Sequence, residues 1–165
     1  MPSTQPTPAI MKHEELVAAV ETVASSLKAK GSAVWSLSPE ATVYEAVALM
    51  AEKGVGALAV VDGARLAGIV SERDYARKVI LKGKSSKETL VGEIMTAEVV
   101  TVEPRRTVAE CMRIMTDHHV RHLPVLENGA LVGMVSIGDM VNAIIHAQAE
   151  TIQQLRNYVT GQYPA

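Results

Sequence analysis

The sequence contains no phenylalanine, one tryptophan and one cysteine, and aromatic residues fill only 3% of its 165 positions. A single thiol, Cys111, rules out an internal disulfide and fits a reducing compartment. On the apolar side of a helical pattern, it reads as a small buried hydrophobe. No stretch approaches the ~18 apolar residues of a membrane-spanning helix. The start, with Pro2, Pro6 and Pro8, has no basic segment followed by an apolar one, so no signal peptide is expected. These absences predict a soluble, cytoplasmic chain with no membrane partner. Charge is balanced, with a formal net of -2, so there is no broad positive field and nucleic acid is not an expected partner. Any nucleotide contact has to be local.

What is present is aliphatic: 48% of residues are hydrophobic, and eight of them are methionine. Such a composition suits layered sheet and helix, an α/β (α+β) fold class. The length is enough to bury roughly two thirds of the unfolded surface without staples.

The chain is organised by a repeat. Gly68-Ile69-Val70-Ser71-Glu72-Arg73-Asp74 returns 65 residues later as Gly133-Met134-Val135-Ser136-Ile137-Gly138-Asp139. The ungapped register runs from Val34 to Ile80 against Val99 to Ile145, with identities that include Pro39/Pro104, Thr42/Thr107, Glu45/Glu110, Met50/Met115 and Leu58/Leu123. A duplication of this length predicts two copies of one supersecondary unit that share a core. Each copy reads as a short strand (Val34 to Leu37; Val99 to Val102), a Thr-x-x-Glu capping box, and a helix (Val43 to about Lys53; Val108 to about His118). A hairpin follows, turning at Asp62-Gly63 or Glu127-Asn128-Gly129, and a second helix starts near Ser71 or Ser136. The order is β-α-β-β-α twice. Ahead of it, 1–9 reads as a mobile tail and Ile10 to Lys30 as one helix, striped by Met11, Leu16, Val20, Val23 and Leu27, with no counterpart in the repeat. Lys82 to Thr89 reads as the linker, and a long or broken terminal helix should stop near Gly161. The expected division is 1–31, tail and first helix; 32–89, first repeat with linker; 90–150, second repeat; 151–165, helical extension.

The repeated Gly-x-x-Ser-x-x-Asp carries the chemistry. Glycine at the strand end allows close backbone approach. Ser71 and Ser136 open helices whose first amides favour phosphate. Asp74 and Asp139, one turn in, can accept two hydrogen bonds from a ribose diol. The same spacing is also an ordinary N-cap with an acid in the first turn, worth about 1 kcal/mol without any ligand. The ligand reading is favoured because both copies choose Asp where both capping boxes use Glu, and both place Gly at the same distance ahead.

With the strand Val120-Arg121-His122-Leu123-Pro124-Val125, these paired motifs resemble a tandem pair of CBS domains, or Bateman module, over roughly residues 32 to 150. The phrase Ser71-Glu72-Arg73-Asp74-Tyr75-Ala76-Arg77-Lys78 is similar to that of small stand-alone bacterial members. The resemblance implies two repeats packed sheet to sheet about a pseudo-two-fold axis and a non-catalytic module. It implies clefts for AMP, ADP, ATP, NAD or S-adenosylmethionine, and signalling through a homodimer to an unknown protein partner, with no metal required. It assigns ribose to Asp139 and Asp74, phosphate to Ser136, Arg121, His122, Ser71 and Arg73, and an adenine slot to Val34, Ser36, Ala41 and Thr42.

Where the second copy has Arg121 and His122 the first has Gly56 and Ala57, so the Asp139 cleft is expected to be the better phosphate site. The Asp74 cleft is expected to use Arg73 or Lys78, or to stand empty. Trp35, whose counterpart is Val100, is assigned to core packing or a dimer contact ahead of base stacking. His118, His119 and His122 span a helix end and a strand start, a poor arrangement for a metal. The alternatives left open are a structural dimerisation module with vestigial clefts, a small hydrolase and a nucleic-acid binder. For the hydrolase no base-activated nucleophile is visible.

Overall fold

The structure, a computed structural model, describes residues 12, 15, 16, 18, 21–31 and 33–161. The tail at 1–9, and Met11 and Val20 of the first apolar stripe, lie outside the described residues. Helix α1 covers Val23–Lys30, not the whole of the expected span, because the chain leaves helical geometry at Glu21 and Thr22. Thr22 is extended and caps the new helix, its hydroxyl oxygen accepting from the Ser25 amide.

The first repeat then follows its sequence closely. Strand β1 is Ser36–Leu37, helix α2 Val43–Lys53, and the hairpin strands are β2 Ala57–Asp62 and β3 Arg65–Ser71. Strand β1 runs parallel to β2, and β2 antiparallel to β3. Thr42 and Glu45 form the expected reciprocal box, with the Thr42 amide donating to the Glu45 carboxylate at 2.7 Å. Helix α3, Glu72–Tyr75, runs directly into a π-helical turn, Ala76–Ile80, that buries Val79.

The second repeat has helix α5 (Val108–His118), strands β4 (His122–Glu127) and β5 (Ala130–Ser136), and a single unbroken helix α6 (Ile137–Thr160) that ends at left-handed Gly161. Two details depart from expectation. The strand expected at Val99 to Val102 is reduced to one parallel bridge, Val102 to Val125. In the first repeat the amide of Ala59 donates to the Trp35 carbonyl; its counterpart here is Pro124, which has no N–H to give Val100. The Thr107 box is also half made. Thr107 accepts from the Glu110 amide, but the Glu110 carboxylate turns to Arg106 at 3.0 Å, a cation that Ala41 does not supply in the first copy.

The lead-in segments of the two halves are exchanged, which corrects the expectation that the first helix has no counterpart. Its counterpart is α4, Val91–Ile94, just after the linker. The amides of Val23 and Ala24 donate to the carbonyls of Arg106 and Pro104, while those of Val91 and Gly92 donate to Ala41 and Pro39, positions 65 residues earlier. So α1 seals the core of the second repeat (Val23 and Leu27 with Val108, Cys111, Met115, Leu123, Val125, Val135 and Met140). Correspondingly, α4 seals the first (Val91 and Ile94 with Val43, Met50, Leu58, Val60 and Val70). Each fully buried Leu or Val contributes roughly 1.5–3 kcal/mol. The motif glycines serve this exchange: a Cβ on Gly133 would lie 2.8 Å from both methyls of Leu27, and one on Gly68 would lie 2.7 Å from the Met95 sulfur and 2.8 Å from the Thr96 carbonyl oxygen.

Candidate functional site

Both Ser-x-x-Asp motifs close on themselves as capping boxes. The Ser71 amide donates to Asp74 Oδ2 at 2.9 Å and the Asp74 amide to Ser71 Oγ at 3.2 Å; Ser136 and Asp139 repeat the pattern at 2.8 and 3.1 Å. The ordinary helix-start chemistry of the motif is therefore made in both halves. What separates the halves is what surrounds each carboxylate.

Asp74 lines a cleft of about 370 Å³ between the two repeats. The first repeat contributes Gly56, Ile69, Ser71, Glu72, Arg73 and Arg77 to its wall, and the second contributes Val99, Val100, His119, Val120, Arg121 and His122, with Thr96 and Glu98 from the crossing segment. Arg121 and His122 thus sit with Asp74, Ser71 and Arg73, and not in the Asp139 cleft as the sequence led us to expect. The reason is the packing: β4 begins against the first repeat, and the His122 ring lies so near Gly56 that a Cβ there would be 3.4 Å from it. Arg73 ties the halves together by donating to the His119 carbonyl at 3.2 Å. His119 holds the left-handed conformation (φ 54°) that Gly54 holds in the first repeat, so its side chain reaches a place where the twin has none.

The cleft is basic on one side only of the pseudo-symmetry. Arg73, Arg77, His119, Arg121 and His122 correspond to Gly138, Asn142, Gly54, Gly56 and Ala57. Sequence reasoning missed Arg77 and His119, although this comparison across the 65-residue register contains them. It missed Glu72 and Glu98 as well. Burial, with Lys30 and Arg121 nearby, lowers the His122 pKa from 6.5 against the opposing pull of Asp139, so at neutral pH this ring is an uncharged hydrogen-bonding group. Lys78 pairs with Asp74 Oδ1 at 2.9 Å and donates to the Ile94 carbonyl at 2.8 Å, but lies outside the cleft wall.

Asp139 lies instead in a groove between α1 and α6, with Lys30, Ser25, Ser26, Asn142 and His146. Lys30 Nζ is 2.6 Å from Asp139 Oδ2 and 2.9 Å from the Met134 carbonyl. The adenine-slot residues are not brought to the Asp74 cleft: Ser36 is in β1, Thr42 caps α2, Ala41 packs on the first core, and Val34 is half-buried. Val99 and Val100, the counterparts of Val34 and Trp35, take that place in the cleft, with Ile69 and Val120. Trp35 itself is 40% exposed and carries Lys53 Nζ 4.3 Å from its ring centroid, so it is not a core residue of this chain.

Comparison with known proteins agrees with this architecture. The model of the CBS domain matches residues 31–80 and again 91–146. The mitochondrial CBS domain-containing protein CBSX3 of Arabidopsis thaliana is 43% identical over 171 residues, covering 98% of this chain and 81% of its own. A solved protein with CBS domains from Burkholderia ambifaria MC40-6 is 55% identical and superposes with a TM-score of 0.75 over 77% of this chain and 96% of its own. A more distant CBS domain pair, 23% identical with a TM-score of 0.61 over 67% of this chain and 86% of its own, was crystallised in complex with 5′-methylthioadenosine and S-adenosyl-L-methionine. Two family matches that fill most of the chain, at the two halves of the duplication, make this protein a member of the CBS domain family, built as a tandem pair.

Proposed function

We propose that this protein is a non-catalytic regulatory module that takes one adenine nucleotide in the Asp74 cleft and answers by shifting one repeat against the other. The observation that supports the reading is the meeting, in a cleft lined by both repeats, of the Asp74 carboxylate with three arginines from two halves of the chain. Asp74 would take the diol, Ser71 with Arg73, Arg77 and Arg121 the phosphate, and Val99, Val100 and Val120 the adenine face. His122 would add a neutral hydrogen bond. With Asp74 compensated by Lys78, three guanidinium charges face two carboxylates, Glu72 and Glu98, and that small excess favours few phosphates. AMP heads the candidates, ahead of ADP, ATP and NAD. Because the cleft wall belongs to both repeats, closure on a ligand changes their relation, the kind of output a partner or a second copy can sense.

We assign the working form to a cytoplasmic homodimer with an unidentified protein partner. Val141, Ile145, Ile152, Leu155 and Val159 leave an apolar stripe exposed along α6, which suits a second copy. The second reading, a structural pairing module with vestigial clefts, is favoured by the capping boxes, which occupy both Asp carboxylates without a ligand. Thermal unfolding with AMP, ADP, ATP, NAD, S-adenosylmethionine and GMP separates the two. A ligand at a hundred times its Kd stabilises by about 2.7 kcal/mol, or roughly 5–11 °C for a chain of this size. No shift with any adenine ligand, or an equal shift with GMP, would leave the structural reading standing. Gel filtration tests the dimer, and cell fractionation the location.

A further inference from the structure

The two motif copies differ in what the exchanged segment lays across them. The segments match at an offset of 68 as far as Leu27 with Met95; beyond that α1 stays helical to Lys30, while the chain after α4 turns extended at Met95 and bridges Ile69 through Thr96. On the second repeat, Lys30 reaches from α1 over the turn between β5 and α6, bonding the Met134 carbonyl on one side and Asp139 on the other. Its ammonium bridges Met134 and Asp139. On the first repeat the exchanged segment brings no cation to Asp74; past Met95 it contributes Thr96 and Glu98 to an open cleft wall. The cation that does meet Asp74, Lys78, comes from the same helix, one turn on, and stands outside that wall.

We propose that Lys30 is a built-in cationic occupant of the second motif, and that it sets ligand uptake at one nucleoside per chain. This rests on the reading of the Asp74 cleft given above. A ribose hydroxyl and an ammonium are both donors to the same carboxylate, and the ammonium is held in place by a helix clamped to β5 through Leu27 on Gly133. Lys30 meets Asp139 Oδ2 from inside that groove, whereas Lys78 meets Asp74 Oδ1 from outside the cleft wall, so uptake at Asp139 competes with a resident ammonium and uptake at Asp74 displaces no residue of the exchanged segment. Lys30 thus determines stoichiometry without touching the ligand at the occupied cleft.

Calorimetric titration with AMP tests this on the full chain, using wild type, Lys30→Ala, Lys30→Gln and Lys30→Arg, each first shown to melt cooperatively. The expected result is one AMP per chain for wild type and Lys30→Arg and two for Lys30→Ala and Lys30→Gln, the second weaker because the twin lacks the arginines. Adding Asp74→Ala should leave none in wild type and one in Lys30→Ala. Two AMP per wild-type chain, or one in both neutral variants, overturns the inference while leaving the Asp74 cleft as a site. No uptake by any variant removes that cleft's assignment and this inference with it.

Discussion

Replacing Gly68 by alanine perturbs the exchange on which the whole arrangement depends. The added methyl would sit 2.7 Å from the Met95 sulfur and 2.8 Å from the carbonyl oxygen of Thr96. The thioether can swing away, but the carbonyl cannot, because the Ile69 and Thr96 backbones are hydrogen-bonded to each other at 2.9 and 3.0 Å. The segment after α4 must therefore lift from β3. Overpacking of this kind costs about 1–3 kcal/mol, a fall in Tm of roughly 2–12 °C for this size of chain. Since Thr96 and Glu98 also line the Asp74 cleft, AMP uptake should weaken in the same variant. Gly133→Ala meets only the methyls of Leu27, so its cost should be partly recovered in a Leu27→Ala background, giving a non-additive cycle. Urea unfolding followed by circular dichroism reads the wild type, Gly68→Ala, Gly133→Ala, Leu27→Ala and the double variant. A Gly68→Ala protein within about 0.5 kcal/mol of wild type would refute the close-approach argument, since that is the range of an ordinary surface substitution.

Three further outcomes follow from individual contacts. Because the folded protein holds His122 neutral, with its pKa below the 6.5 of a free ring, the unfolded chain takes up a proton first as pH falls. Stability should thus be fully present above about pH 6.5 and drop below it, and His122→Asn should flatten that limb of the Tm profile. Glu45→Ala should cost more than Glu110→Ala, by about 0.5–1 kcal/mol in urea midpoints, because only Glu45 returns a bond to its cap amide. Burial and the Glu110 charge push the Cys111 thiol up to about 11, so a disulfide reagent at pH 8 should label it only on unfolding; prompt labelling of native protein would contradict its place in the second core.

Much of the fold was legible because the duplication supplies its own check. The helices from Val43 and Val108, both hairpins and the helix starts at Ser71 and Ser136 were readable from capping residues, turn residues and alternation that occur twice. The Asn128-Gly129 and Gly63 turns adopt the positive φ values that such residues advertise. What failed had non-local causes. Pro124 was readable as a strand residue, but its missing amide matters only once the Trp35 carbonyl beside β1 is known to accept from the matching amide of Ala59. The exchange of α1 and α4 leaves almost no trace in sequence, since Val91–Ile94 is a single short turn with few apolar positions.

The side of the fold on which Arg121 and His122 stand was not legible either. Arg121 and His122 were assigned to the Asp of their own repeat, as proximity in sequence suggests, whereas β4 delivers them to the Asp of the other. The clue that could have redirected the assignment was the cluster of basic residues without counterparts, Arg73 and Arg77 in one half and His119 and Arg121 in the other. A single cleft lined by both repeats collects all four. The Lys30–Asp139 ion pair joins residues far apart in the chain and was beyond any local reading.

The most direct test compares AMP affinity in Asp74→Ala and Asp139→Ala by titration calorimetry, with wild type alongside. The account predicts loss of binding in Asp74→Ala and wild-type affinity and stoichiometry in Asp139→Ala. Equal losses in the two variants, or a loss confined to Asp139→Ala, would contradict it.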